Sequence, residues 1–150
     1  MVMRHAHAEP GRAGTPDASR RLTEAGHARA AQQAAVVAAQ PPDLVLCSTA
    51  VRATETLAHL DTGQAPVHVE VGLYEASATS ALLRLAELAE DVGTVLYLGH
   101  MPTVAQLVGA LIGEASDGVD FAPGTIAVLD VDRTWADLQP GSARLRCLAR

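Results

Sequence analysis

The chain opens Met-Val-Met and then sets an arginine and a histidine side by side, Arg4-His5, with His7 close behind. Further groups of chemical use come at the ends of later apolar runs. Ser48-Thr49 and Arg52 follow DLVLC, Tyr74-Glu75 follow VHVEVGL, and Gly99-His100 follow TVLYL. Arginines, imidazoles and a carboxylic acid in this combination suit phosphoryl transfer. A neutral imidazole, with an ordinary pKa of ~6.5, can attack phosphorus near neutral pH. Arg4 and Arg52 can gather the charge on the equatorial oxygens without a metal, because a planar guanidinium donates paired hydrogen bonds to phosphate. A second imidazole, His100, can add a charged donor, helped by the helix N-terminus that follows it. A carboxylic acid must protonate the leaving group and later take a proton from water. That role is open to Glu75, with Glu9 and Asp17 as alternatives.

Strand ends matter because ligands of open α/β sheets bind beyond the carboxyl ends of the strands. Strands are expected at the start of the chain, at DLVLCST, at VHVEVGLYE and at GTVLYLGH, with a closing pair TIAVLDVD and ARLRCLA around Pro140-Gly141. Helices are expected between them. LTEAGHARAAQQAAVVAAQ reads as one helix capped by Thr23 and stopped by Pro41-Pro42. VRATETLAHL, SATSALLRLAELAE and the segment after His100 are the others, the last carrying an apolar stripe of Val104, Leu107, Val108, Leu111 and Ile112. The turn-rich stretch Glu9 to Arg20 is expected to be a loop at the site's rim. Strands alternating with helices predict a single α/β domain over residues 1–150, three layers deep, with a mainly parallel central sheet covered by helices on both faces.

Composition narrows the function. The 150 residues are 49% hydrophobic but only 3% aromatic, so the core must be built from Ala, Val and Leu. A net charge of −6 has the wrong sign for a nucleic-acid surface or a basic membrane anchor. All 11 basic residues are arginines, which excludes Walker-A, Schiff-base and kinase-lysine chemistry. No apolar run approaches the ~20 residues of a membrane span. No leader precedes the first motif, so a cytoplasmic protein is expected. Cys47 and Cys147 lie in apolar stretches and are expected to be small buried residues.

The segments MRHAHAE, RRLTEAG, DLVLCSTAVRATETL, GLYEAS and VLYLGHMP resemble, in order and spacing, the histidine phosphatase or phosphoglycerate mutase-like superfamily. The RHA-x-AE opening and the short chain are closest to its small phosphohistidine phosphatase branch. The resemblance implies a phosphoglycerate mutase-like fold, no cofactor, and turnover through a phosphohistidine on His5, with Arg4, Arg52 and His100 forming the phosphate pocket. Substrates would be a phosphorylated protein or small phosphomonoesters. Ala6 stands where many members have glycine, and Met101 where Gly-His-Asn-Pro has asparagine.

Three rival readings have distinct signatures. His5 and His7 lie on one side of an extended strand, and His-x-His can chelate zinc in a metal-dependent hydrolase. Ser48 sits at a strand-to-helix turn like a hydrolase nucleophile, but LCSTA lacks the flanking glycines of a nucleophile elbow. Ser48 is therefore expected to support the pocket or cap the Arg52 helix, as His7 and Glu9 are expected to lie near its mouth. A non-catalytic phosphate-binding module would keep the pocket without turnover. His27, His59 and His68 have no motif around them. The oligomeric state is not encoded in any motif.

Overall fold

The computed structural model describes residues 1–114 and 120–150. Strands β1 (Val2–Arg4), β2 (Leu44–Ser48) and β4 (Val95–Gly99) are short apolar runs, and every residue of β2 and β4 is buried. That is the pattern of parallel strands covered on both faces. The sheet order is β3-β2-β4-β1-β5-β6. Strand β3 (Val67–Glu70), β2, β4 and β1 run parallel, whereas β5 (Ile126–Val131) and β6 (Ala143–Ala149) return antiparallel. The expected closing turn is present, with Gly141 at φ 78°.

Alternation along the strands sends neighbours to opposite layers. Leu46 and Tyr97 face helices α4 (Ala78–Ala86) and α5 (Thr103–Ile112), joining Leu85, Val104, Leu107 and Val108 in one core. Val45, Cys47, Leu96 and Leu98 face the other way, onto Val37 and Ala53. Those two residues belong to α2 (Ala34–Ala38) and α3 (Val51–Leu57). The result is the three-layer α/β domain that the pattern implies.

Three local expectations need correction. The single helix before Pro41 is two, α1 (Glu24–Gln32) and α2, broken at Gln33. Gln33 is buried, and its side-chain amide donates to the Ala149 carbonyl at 3.4 Å, so tertiary pairing of a buried amide accompanies the break. The third strand stops at Glu70, and Val71–Leu73 form a 3₁₀ turn. Tyr74 and Glu75 are thus delivered by a loop. Cys47 is buried and its thiol pushed up to about 12 by burial, but Cys147 is exposed. It lies on β6, the edge strand of the sheet among the described residues. Among the described residues no helix is long and apolar enough to cross a membrane.

One glycine ties α1 to the segment after β1. Thr23 caps α1 by accepting from the Gly26 amide, and a Cβ at Gly26 would lie 2.1 Å from the His7 carbonyl oxygen. Backbone meets backbone there, with no flexible side chain to give way. Gly26→Ala should therefore lower stability by about 1–3 kcal/mol despite alanine's better helix propensity. Chemical denaturation would measure it, and an unchanged or raised midpoint would show that the His7 segment relaxes freely.

Candidate active site

Register brings the two key histidines together. Arg4 pairs with Gly99 across the β1–β4 ladder, so His5 and His100 are the next residues of adjacent parallel strands. Their ring centroids are 4.9 Å apart. Gly99 must be small, because a Cβ there would meet the Tyr97 ring at 2.8 Å. The turn after β1 is held by His5 N–H donating to Gly99 O and Gly124 N–H donating to His5 O, each at 3.1 Å. Ala6 N–H donates to Thr56 Oγ1 at 3.0 Å.

The contacts of His5 fix its tautomer. Nδ1 lies 2.7 Å from the Ala6 carbonyl, which can only accept, so Nδ1 carries the proton. Arg52 Nε, which can only donate, lies 3.2 Å from Nε2, so Nε2 presents its lone pair. Burial pulls the His5 pKa down to about 3, against the hydrogen bond to Ala6, with His100, Arg52 and Arg4 adding to the depression. The ring is neutral, and its Nε2 lone pair needs no base to free it.

Arg52 is 5% exposed in the first turn of α3, behind the Ser48 to Ala50 turn. Its Nη1 donates to the Asp17 carbonyl at 2.8 Å and its Nη2 to Asp17 Oδ2 at 2.9 Å. The Tyr74 hydroxyl donates to the same Oδ2 at 2.9 Å, and Arg20 Nε lies 2.9 Å from Oδ1. Tyr74, followed by Arg52 and Arg20, holds the Asp17 carboxyl below the usual carboxylate range. An ionised carboxylate is a poor proton donor, so Asp17 clamps the back of the Arg52 guanidinium while Nε faces His5. Sequence reasoning weighed Asp17 only as an acid and passed over Tyr74 and Arg20 as contributors. The polar loop Glu9 to Arg20 was the available signal.

His100 corrects one expectation. Burial, then Arg52, lowers its pKa to about 4, so in the free protein it is a neutral ring and not a charged donor. Its Nε2 is 2.7 Å from Ser48 Oγ, an oxygen that accepts from the Ala50 amide at 3.2 Å and can donate its own proton to the ring. Ser48 therefore supports His100 and the turn into α3. Among the described residues, His100 Nδ1 and Arg4 Nε are buried without a hydrogen-bond partner, while Arg4 Nη1 donates to Phe121 O at 2.7 Å. An unpaired guanidinium N–H and an unpaired ring nitrogen, both buried beside Arg52, fit a site that receives an anion.

A cleft of about 420 Å³ opens beside this cluster, lined among others by Asp17, Arg52, Tyr74, Glu75, His100 and Met101, while Arg4 and His5 lie outside its lining. Glu75 is exposed at its rim in a left-handed conformation, φ 57°, uncommon for a residue with a side chain. Thr103 Oγ1 donates to the Ala76 carbonyl and ties this loop to the start of α5. Met101 is 41% exposed at the same edge. Glu9 bonds through its backbone, to Arg21 and Arg20. His7 is exposed, with Nδ1 3.0 Å from Thr23 Oγ1. It does not converge with His5, and among the described residues no group of three or more His, Cys, Asp or Glu could hold a metal ion. A second cavity of about 350 Å³ lies at the opposite end of the sheet, beside Trp135, away from these residues.

The buried neutral imidazoles carry a cost in acid. Unfolded histidines titrate at ~6.5, whereas His5 and His100 do so at about 3 and about 4 when folded. Below pH ~6.5 the unfolded chain binds more protons, so stability is fully present above that value and is lost as pH falls. The slope should approach ~1.4 kcal/mol per pH unit for each histidine between pH ~6.5 and ~5. Denaturation of phosphate-free protein across that window would measure it. His100→Asn should flatten the slope by one histidine's share, and equal slopes in both proteins would contradict the assignment.

The chain matches the histidine phosphatase superfamily (branch 1) over residues 1–92. It is 38% identical over 141 residues to an uncharacterised protein of Mycobacterium tuberculosis, a span covering 87% of this chain and 85% of the relative. Its fold is similar to a SixA of Nakamurella multipartitia assigned as a phosphohistidine phosphatase, with a TM-score of 0.88, 32% identity, and coverage of 99% of this chain and 94% of that one. It is also similar to the protein histidine phosphatase SixA complexed with tungstate, with a TM-score of 0.80, 26% identity, and coverage of 98% and 93%. With the paired Arg4-His5 and Gly99-His100 strand ends in place, the chain belongs to the histidine phosphatase superfamily and is a phosphatase.

Proposed function

We propose that the protein hydrolyses phosphohistidine or small phosphomonoesters through a phosphohistidine on His5, without a metal. The observation that carries this reading is the pinned His5 tautomer, whose Nε2 lone pair lies against the Arg52 guanidinium that lines the cleft. The tungstate complex of a relative adds support, since tungstate is a tetrahedral oxyanion like phosphate. In the first step the Nε2 pair attacks phosphorus and the bond from phosphorus to the leaving group breaks. The released pair stays on the leaving atom, which takes a proton from Glu75. Arg4, Arg52 and His100 stabilise the charge on the transferring oxygens. In the second step water attacks phosphorus, Glu75 takes its proton, and the P–N bond pair returns to Nε2 as orthophosphate departs. The cleft is open at the Glu75 rim, which suits a protein side chain as well as a small molecule. A cytoplasmic location is part of the proposal.

Quenching without acid after mixing with ³²P-labelled substrate in EDTA should trap an acid-labile label. His5→Ala should abolish it. Label retained in that variant would place the nucleophile elsewhere, and bound phosphate with no label or turnover would leave only a binding module.

The proton donor separates by leaving group. An alkoxide needs a proton in the transition state, while the imidazole of phosphohistidine leaves neutral once its other nitrogen is protonated. General acid catalysis is worth ~10²–10⁴ in rate. Glu75→Gln should therefore cut kcat/KM for a phosphate ester by about that factor and spare phosphohistidine. Asp17→Asn acts through Arg52, which serves both substrates, and should lower both by a similar factor. If Asp17→Asn alone showed the ester-selective loss, Asp17 would be the acid.

A further inference from the structure

We propose that the cleft sorts leaving groups by charge, accepting neutral or cationic ones and disfavouring those that carry a second anion, with Met101 and Gln106 setting the rule. The proposed function underlies this inference, which narrows its substrates to phosphate esters and phosphoramidates whose leaving group bears no anion. In-line displacement puts the leaving atom on the far side of phosphorus from the attacking nitrogen. His5 lies outside the cleft's lining, whereas Arg52 and His100 belong to it. A phosphoryl group held on Arg52 and His100 and attacked from His5 therefore directs its leaving group into the cleft. There it meets the Tyr74 to Ser77 loop on one side and the first turn of α5 on the other.

The cleft offers that group no second cation. All 11 arginines lie among the described residues, the chain has no lysine, and Arg52 is the sole arginine of the lining. Arg52 is held by Asp17 and faces His5, so its charge serves the phosphoryl group. Arg20, on the neighbouring loop, is tied to Asp17 and to the Glu9 carbonyl.

Beyond Arg52 the walls include a phenol ring, a carboxyl, a hydroxyl, a thioether and an amide, from Tyr74, Glu75, Ser77, Met101 and Gln106. The Ser77 hydroxyl is spent as the N-cap of α4. Glu75 is neutral while it holds the proton it donates and negative once it has given it, and in neither state does it attract an anion. Met101 and Gln106 are both exposed, and neither carries charge. The dipole of α5 does not change this balance at Gln106. Its effect fades within the first turn, and the Gln106 amide is already bonded to the Pro102 carbonyl at 3.1 Å. A carboxylate on the leaving group would give up water against Met101 and gain no partner, a cost that a neutral ring does not have. A cationic group would gain from Glu75 whenever that carboxyl is ionised.

Phenyl phosphate and its meta-carboxyl and meta-aminomethyl derivatives vary the charge on one ring. At low salt kcat/KM for the carboxylated ester should be about three- to tenfold below that of phenyl phosphate, with the gap closing in ~0.5 M salt. The aminomethyl ester should match or exceed phenyl phosphate. Gln106→Arg supplies the missing cation and should raise the ratio of carboxylated to unsubstituted ester about fivefold. Comparing that ratio between proteins cancels any difference in leaving ability between the esters. If Gln106→Arg does not fold, Met101→Arg puts a cation on the same wall. Absence of turnover with all three esters would sink the proposed function but not the charge rule, which the dissociation constants of the matching benzylphosphonates then test in the same way. A carboxylated ligand accepted as well as the unsubstituted one at low salt, or a ratio unmoved by the arginine variants, would overturn the proposal.

Discussion

A guanidinium at 5% exposure is costly unless its charge and donors are matched, and Arg52 dictates much of what surrounds it. Its donors reach the Asp17 carbonyl, the Asp17 carboxylate and His5 Nε2. The loop between β1 and α1 must therefore fold back over the sheet, which explains a short 3₁₀ turn at Asp17–Ser19 in a stretch otherwise rich in Gly and Pro. One turn along α3, Thr56 donates to the Arg52 carbonyl at 2.6 Å and accepts from the Ala6 amide. A single helical face thus fixes both the cation and the backbone carrying the candidate nucleophile.

The same cation sets the protonation of its neighbours. Two imidazoles 4.9 Å apart, buried among arginines, are held neutral. For His5 that is the useful state, because a protonated ring has no lone pair to give. For His100, burial and the Arg52 charge hold the proton affinity down, and a phosphate dianion bound beside it would act in the opposite direction. Under the proposed function the phosphate would thus strengthen the donor it meets. Catalytic readiness and acid sensitivity have one origin, the desolvation of imidazoles beside fixed positive charge.

The elements most legible in the sequence were those whose pattern follows from full burial. LVLCS and VLYLG had to be interior strands, and the residues just beyond them had to cluster, since parallel strands align their ends. Arg52 and His100 were placed by that reasoning alone. Legibility failed where tertiary contacts decide. Nothing local in QQAAVV announces that Gln33 is buried, and nothing in RLRCLA says that its strand lies at the sheet's edge with Cys147 in solvent. Asp17 was visible as a carboxylate near the site. Its role depends on Tyr74 and Arg20, which are far from it or merely adjacent in sequence and reveal their part only through geometry.

Division of labour between strand ends and loops follows from what each group must do. Under the proposed function the nucleophile and its cations must hold sub-ångström relations throughout the reaction, and Arg4, His5, His100 and Arg52 stand at or just beyond the ends of β1 and β4 or in the first turn of α3. The candidate acid must meet leaving groups of different size and then admit water. It stands on a loop, in a left-handed conformation that costs free energy and is held by the Thr103 to Ala76 hydrogen bond. Retaining a strained backbone at an exposed carboxylate of the cleft's rim makes sense if its direction matters more than its stability. On the proposed function the rigid pocket would fix how phosphorus is attacked, and the loop which leaving group can be protonated.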